Sequence, residues 1–232
     1  MFIMIERVSL SRQFKSIYPL LIKVYIPTTL SLLIVVVINL MTGIKVSYFT
    51  RDPSQIIGAP IYYGMFSNLG ILFWCAAASI CFFTAALLHR SPSQKQHYGF
   101  LLCSGGLTTF LMLDDLFLFH EIVFPVYLHI PDLAVYAGYG IGIALFLAVF
   151  RKLILQTPYL LLGLAFFFFA ISIVIEIPDI PFYGQHLVED GCKLFGIVSW
   201  ATYFIHFCRQ QRLFADATPS ATTSDDFESA RP

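Results

Sequence analysis

Charge is scarce in this sequence. Asp, Glu, Lys and Arg make up 12% of its 232 residues, against about a quarter in a soluble domain. That shortage, together with 58% hydrophobic residues, a mean hydropathy of +0.77 and several long apolar runs, excludes an ordinary soluble globule and predicts an integral membrane protein. An excess of one sign is lacking too: 14 Lys plus Arg meet 14 Asp plus Glu, so nothing in the charge balance suggests nucleic acid. No two of the five cysteines form a Cys-x-x-Cys, which leaves neither a disulfide framework nor a zinc knuckle. Cys75, Cys81, Cys103, Cys192 and Cys208 instead read as small packing residues in or beside apolar runs. The first apolar run lacks a small-x-small cleavage site and is too long for a signal h-region. There is no internal repeat.

What is present is a series of apolar runs separated by short polar turns. The predicted fold is an all-α polytopic membrane bundle of six transmembrane helices, occupying about 18–212, with spans at about 24–41, 64–88, 98–119, 133–150, 159–177 and 187–207. Residues 1–17 alternate apolar side chains with Arg7, Arg12 and Lys15, as an amphipathic segment on the membrane surface would. Pro27 falls in the first turn of the first span, where proline is tolerated. Residues 121–132, with Pro125 and Pro131, read as a loop, and Pro178 and Pro181 stop the fifth span. Gly138 and Gly142 stand in a small-xxx-small register that offers a face to a second copy of the chain, the bilayer being the other partner. Residues 213–232, rich in Ser, Thr, Ala and Asp, read as a disordered tail.

Basic residues set the expected orientation. With six spans both ends share a side, and that side collects 11 of the 14 Lys plus Arg; Lys45, Arg51 and Lys193 are the exceptions. The positive-inside rule then puts both termini in the cytoplasm, with the protein in the cell inner membrane. Nine of the 14 acids lie toward the opposite face.

On this topology the carboxyl ends of spans three and five meet the amino end of span six at the outer face. Those ends carry Asp114, Asp115, His120, Glu121, Glu176, Asp179, His186, Glu189, Asp190 and Lys193. At 1.5 Å per residue, Asp114 and Lys193 each lie roughly 9 Å inside the ends of their helices. A lone charge at that depth is costly, which predicts an ion pair of Lys193 with Asp115 or Asp114. His186, Glu189, Asp190 and Lys193 fall at i, i+3, i+4, i+7, on one helical stripe; Ile197, Trp200 and Phe204 continue it as an apolar floor. Ser172, Glu176 and Asp179 are spaced i, i+4, i+7 on span five. On a regular third span, Asp114 and Glu121 share a face while Asp115 and His120 project elsewhere. Tyr62, Tyr63, Tyr136 and Tyr139 read as an interfacial belt.

Seven carboxylates facing one Lys and two His cannot all ionise in a partly dehydrated site without a balancing cation. Three readings follow. In the first the acids stand in water and the Lys193 pair locks the bundle. In the second the cluster binds metal, His120, His186, Glu121 and Asp190 being the ligands; mixed His and carboxylate donors favour Zn²⁺, Mn²⁺ or Fe²⁺ over Ca²⁺. Asp114 or Glu189 would then activate water in a metal-dependent hydrolase of a lipid or small amphiphile, with Glu176 and Asp179 in support. In the third the same carboxylates serve a non-enzymatic membrane subunit or a small proton- or cation-coupled transporter. Membrane hydrolases of the alkaline ceramidase and progestin-receptor type also combine Asp and His, but the paired His one turn apart on a late helix is missing, because His206 stands alone. Retinal proteins carry a carboxylate one turn before a late Lys, as Glu189 and Lys193 are spaced, but have a seventh span. The chain is assigned to neither family.

Overall fold

A computed structural model of the chain describes residues 10–89, 91, 94–176 and 184–216. Among them every regular element is helical. The chain divides into two units, Met1–Tyr63 and Gly64–Pro232.

The first unit holds α1 (Leu10–Thr42) and two short helices, α2 (Ser47–Thr50) and α3 (Pro53–Ile57). The stretch Ile17–Thr42 is long and apolar enough to cross a membrane. It does not start near residue 24, as its apolar run suggests: the chain is already helical at Leu10, the first described residue, and the helix passes through both Pro19 and Pro27. Each proline removes one backbone donor. In an apolar setting, leaving the helix would strand several more backbone groups, so the helix continues. In the turn between α2 and α3, Asp52 accepts a 2.8 Å bond from Ser54 N, and Gly58 ends α3 in the left-handed region at φ +67°.

The second unit holds α4 (Met65–Leu88), α5 (Lys95–Phe117), a π-helical segment (Phe119–Tyr127), α6 (Asp132–Ile154), α7 (Leu160–Glu176) and α8 (Gln185–Asp216). Met65–Leu88, Lys95–Phe117 and Leu133–Ile154 are each long and apolar enough to cross a membrane, making four such helices among the described residues with that of α1. Leu160–Ile175 is apolar but shorter. α4 packs on α5 and α8, and α8 packs on α7, while α6 joins chiefly through the π-helical segment.

The core follows helical spacing. Trp74, Ala77, Cys81, Ala85 and Leu88 line one face of α4; Ile197, Trp200, Phe204, Phe207 and Cys208 line one face of α8. Phe100 of α5 is fully buried among Phe146, Phe150, Phe204 and Phe207. Glycine sets two close approaches. A Cβ on Gly196 would stand 2.5 Å from the Phe169 ring, and one on Gly105 would stand 2.9 Å from the Phe82 ring. The outer faces carry exposed Leu72, Phe83, Leu145, Val149, Phe167 and Val174, a surface suited to lipid. A Cβ on Gly138 or Gly142 would meet nothing within 4 Å.

Two further local expectations give way. Residues 119–127 are π-helical rather than an open loop, with Val123 N bonding Leu118 O at 3.2 Å and Leu128 N bonding Val123 O at 3.1 Å. The last helix runs on to Asp216, into the stretch read as a tail, while residues 217–232 lie outside the described part, as do residues 1–9 of the amphipathic segment.

Candidate functional site

The site begins with two adjacent acids. Consecutive residues on a helix point about 100° apart, so Asp114 and Asp115 at the end of α5 face different neighbours. Asp115 looks toward α4 and α8. Its Oδ2 accepts a 2.7 Å bond from Trp74 Nε1, and its Oδ1 lies 2.7 Å from Lys193 Nζ. The lysine therefore pairs with Asp115 rather than Asp114. Asp115 is nearly buried and Lys193 is about one-third exposed, side-chain values of 9% and 34%.

Asp114 looks toward the π-helical segment and α6. Tyr139 donates its hydroxyl to Asp114 Oδ1 at 2.7 Å, the His120 backbone N donates to the same oxygen at 3.0 Å, and His120 Nδ1 stands 2.6 Å from Oδ2. Both side chains are buried. On a regular helix residues six apart face away from each other, which is why His120 is expected elsewhere. The regular helix stops. Leu118 takes the left-handed conformation at φ +53°, its own N–H still bonding Asp114 O. The chain turns there, and His120 folds back onto the acid. A non-glycine residue in that conformation costs about 1–2 kcal/mol, and three bonds to one carboxylate offset it.

These contacts orient the imidazole. A carboxylate can only accept, so Nδ1 carries a proton and Nε2 faces the other way, 3.5 Å from Glu121 Oε1. The Glu121 side chain is 45% exposed. Asp114, His120 and Glu121 thus form a row of titratable groups leading from a buried position to the surface.

All of these side chains border one cavity of about 350 Å³, enclosed by α4 to α8 and the π-helical segment. Its mouth carries Glu121, Glu189 and Asp190; its wall carries Asp114, Asp115, His120 and Lys193; its floor carries Trp74, Phe166, Phe169 and Trp200. Trp74 stands at 70° to Trp200, and Phe166 at 84° to Trp200, so neighbouring rings form nearly perpendicular walls. Trp200 is pinned by its Nε1 donating to Thr108 Oγ1 at 3.0 Å. Ser172 also borders the cavity.

The expected metal set is not assembled. His120 presents its ring nitrogens to Asp114 and Glu121, while the His186 side chain is 90% exposed, with its Nδ1 3.8 Å from Glu189 Oε2, and does not border the cavity. Among the described residues no group of three or more His, Cys, Asp or Glu could hold a metal ion. The reason is position along the helix: His186 shares a stripe with Glu189 and Asp190 but lies one turn nearer the start of α8, where its side chain is exposed beyond the cavity. Glu121, Glu189 and Asp190 do reach the cavity alongside Asp114. Glu176 is the last residue of α7, and Asp179 lies outside the described residues.

Trp74 and Tyr139 enter the site as direct partners of the two aspartates. Tyr139 does more than anchor an interface. The available signal was its i, i+3 spacing from Tyr136, which also borders the cavity. Trp74, the one indole beside the Ala-rich run of α4, carried no pattern pointing to Asp115.

Helices make up every regular element among the described residues, four of them are long and apolar enough to cross a membrane, and their outer faces suit lipid: this is a helical membrane protein. The chain belongs to a family described as a domain of unknown function, DUF8692, which matches residues 27–207 and so takes in every residue of the cavity. No curated protein and no solved structure matches it.

Proposed function

We propose that this is a six-span inner-membrane protein with cytoplasmic ends, whose cavity opens outward, takes in a small amphiphile, and performs acid–base chemistry on it through His120. The observation that carries the reading is the buried 2.6 Å contact of Asp114 Oδ2 with His120 Nδ1 at the cavity wall. A carboxylate behind Nδ1 holds the ring in one tautomer and stabilises the imidazolium that forms when Nε2 takes a proton. In a hydrolysis, Nε2 would take the proton of an attacking water and return it to the leaving group. His120 is then the base and Asp114 its positioning residue. Glu189, at the mouth, is better suited to steering than to chemistry. A 350 Å³ cavity with an apolar floor and a few convergent polar groups fits such a ligand.

Six spans are supported by length. α7, at 17 residues, reaches about 25 Å, and α8, at 32 residues, about 48 Å. The distribution of Lys and Arg supports the orientation. Reporter fusions after residues 50, 92 and 128 test it, and a cytoplasmic signal at the last of these would refute it. For the chemistry, purified protein is offered medium-chain esters and amides. Turnover that His120→Gln abolishes, with thermal stability retained, is the expected result, and turnover that survives the substitution removes His120 from the role. The 3.5 Å approach of Glu121 to His120 Nε2 favours a second reading, proton passage along Asp114, His120 and Glu121. Uptake of an amphiphile into proteoliposomes driven by a pH gradient, without turnover, would select it.

A further inference from the structure

Building on the amphiphile reading above, we infer that the cavity binds an organic cation, the ammonium head of an amine or quaternary-ammonium amphiphile. Three independent features of the cavity converge on that chemistry. The first is charge. Asp114, Asp115, Glu121, Glu189 and Asp190 border the space against Lys193 and His120, so carboxylates remain in excess even with both of those charged. Lys193 and His120 sit on Asp115 and Asp114 in the wall, which leaves the negative field concentrated at the mouth, where Glu121 and Asp190 are exposed. A mouth of that sign draws in cations and turns anionic heads away.

The second feature is the floor. Trp74, Trp200, Phe166 and Phe169 border the cavity, Trp74 and Phe166 standing at 70° and 84° to Trp200 while Phe169 stacks on Trp74 at 20°. Aromatic faces attract a desolvated ammonium through the ring quadrupole, and tryptophan does so best. The chain has two tryptophans, and both are here. An apolar tail alone would be served equally well by Leu and Ile.

The third feature is Ser172. It is 95% buried by its 5% exposure, it borders the cavity, and among the described residues its hydroxyl has no hydrogen-bond partner. Ser104, Thr109, Ser199 and Thr202 each bond back to a carbonyl of the preceding turn, a bond that Ser172 does not make. A buried hydroxyl left open to a cavity is a place where a ligand group completes the bonding. An ammonium N–H donates to it, and a quaternary head leans on the rings instead.

The test uses the full chain in maltoside micelles, an uncharged host, with intrinsic tryptophan emission as the readout, because both reporters lie on the cavity. Decylammonium, decyltrimethylammonium, decyl sulfate and decyl maltoside are titrated at equal chain length, and tetramethylammonium and lysophosphatidylcholine are added as competitors. The expected result is a saturable change with the two cations, about tenfold tighter than with the sulfate or the maltoside. The double substitution Glu121→Gln with Asp190→Asn, at exposed positions, should weaken the cations by about tenfold and leave decyl maltoside unchanged. Displacement by tetramethylammonium would support a water-borne amine, and displacement by lysophosphatidylcholine alone a lipid headgroup. An equal saturable response to all four decyl probes would overturn the cationic head while leaving the amphiphile cavity standing. No saturable response to any of them would overturn both.

Discussion

Replacing Asp114 with alanine removes three hydrogen bonds at once: those from the Tyr139 hydroxyl, the His120 backbone N–H and the His120 ring. Each bond to a charged acceptor contributes about 1.5–3 kcal/mol, and the donors left behind are buried. Because the bonds share one carboxylate, their sum overstates the effect, and about 4 kcal/mol is the expected loss. At about 2–4 °C per kcal/mol for a chain of this size, the melting temperature should fall by about 12 °C. Asp114→Asn keeps an acceptor for Tyr139 and the backbone but loses the charge, so about 2 kcal/mol, or about 6 °C, is expected. Asp52→Ala is the control, since it removes a single cap from the short helix α3 and should cost about 1 kcal/mol or less. The assay is thermal unfolding of the purified protein in micelles, followed by far-ultraviolet circular dichroism. Hydrogen exchange at the His120 amide adds a local readout, because that N–H is held by the carboxylate itself. If Asp114→Ala melts within about 2 °C of the parent and the His120 amide keeps its protection, the carboxylate does not hold the turn at Leu118 and the reasoning fails.

Lys193→Met should cost about 2 kcal/mol, less than a fully buried pair because Lys193 is about one-third exposed, and adding Asp115→Asn should recover much of it; additive losses in a double-mutant cycle would show that the two do not interact. Leu118→Ile should destabilise by about 2 kcal/mol, since a β-branched residue tolerates positive φ poorly, whereas Leu118→Gly should change stability by less than about 1 kcal/mol; equal melting temperatures for the two would contradict the left-handed turn. Gly196→Ala forces a Cβ against the Phe169 ring, and should cost about 1–3 kcal/mol and shift the emission of Trp74, on which Phe169 stacks at 5.9 Å. Gly191→Ala on the same helix meets nothing within 4 Å and should stabilise by about 0.5–1 kcal/mol, so a loss there would count against the packing described for α8.

Much of the architecture was legible because lipid imposes a simple rule: apolar runs long enough to cross must be helices with their backbone bonds closed internally. That rule located α4, α5 and α6 to within a few residues. It misjudged α1, because proline reads as a boundary in water but is absorbed inside a long apolar helix. It also misread residues 119–127, because a π-helical turn has no periodic signature and Pro125 looks like a loop residue. Of the site, composition and depth led to acids that border the cavity and to a partner for Lys193. They did not carry the geometry of the two histidines, one folded back onto Asp114 and the other exposed.

The division has a physical basis. Hydrophobic periodicity and charge depth are properties of single segments, so the sequence by itself determined that this protein is helical, that it is built for a membrane, and that its buried charges need partners. Which partner each charge takes depends on rotations of one helix against another and on a single backbone angle at Leu118, and no segment contains that information. Only the tertiary structure decided that His120 folds back onto Asp114, that Trp74 and Lys193 share Asp115, and that His186 stays outside. The same rotations brought both tryptophans beneath a ring of acids.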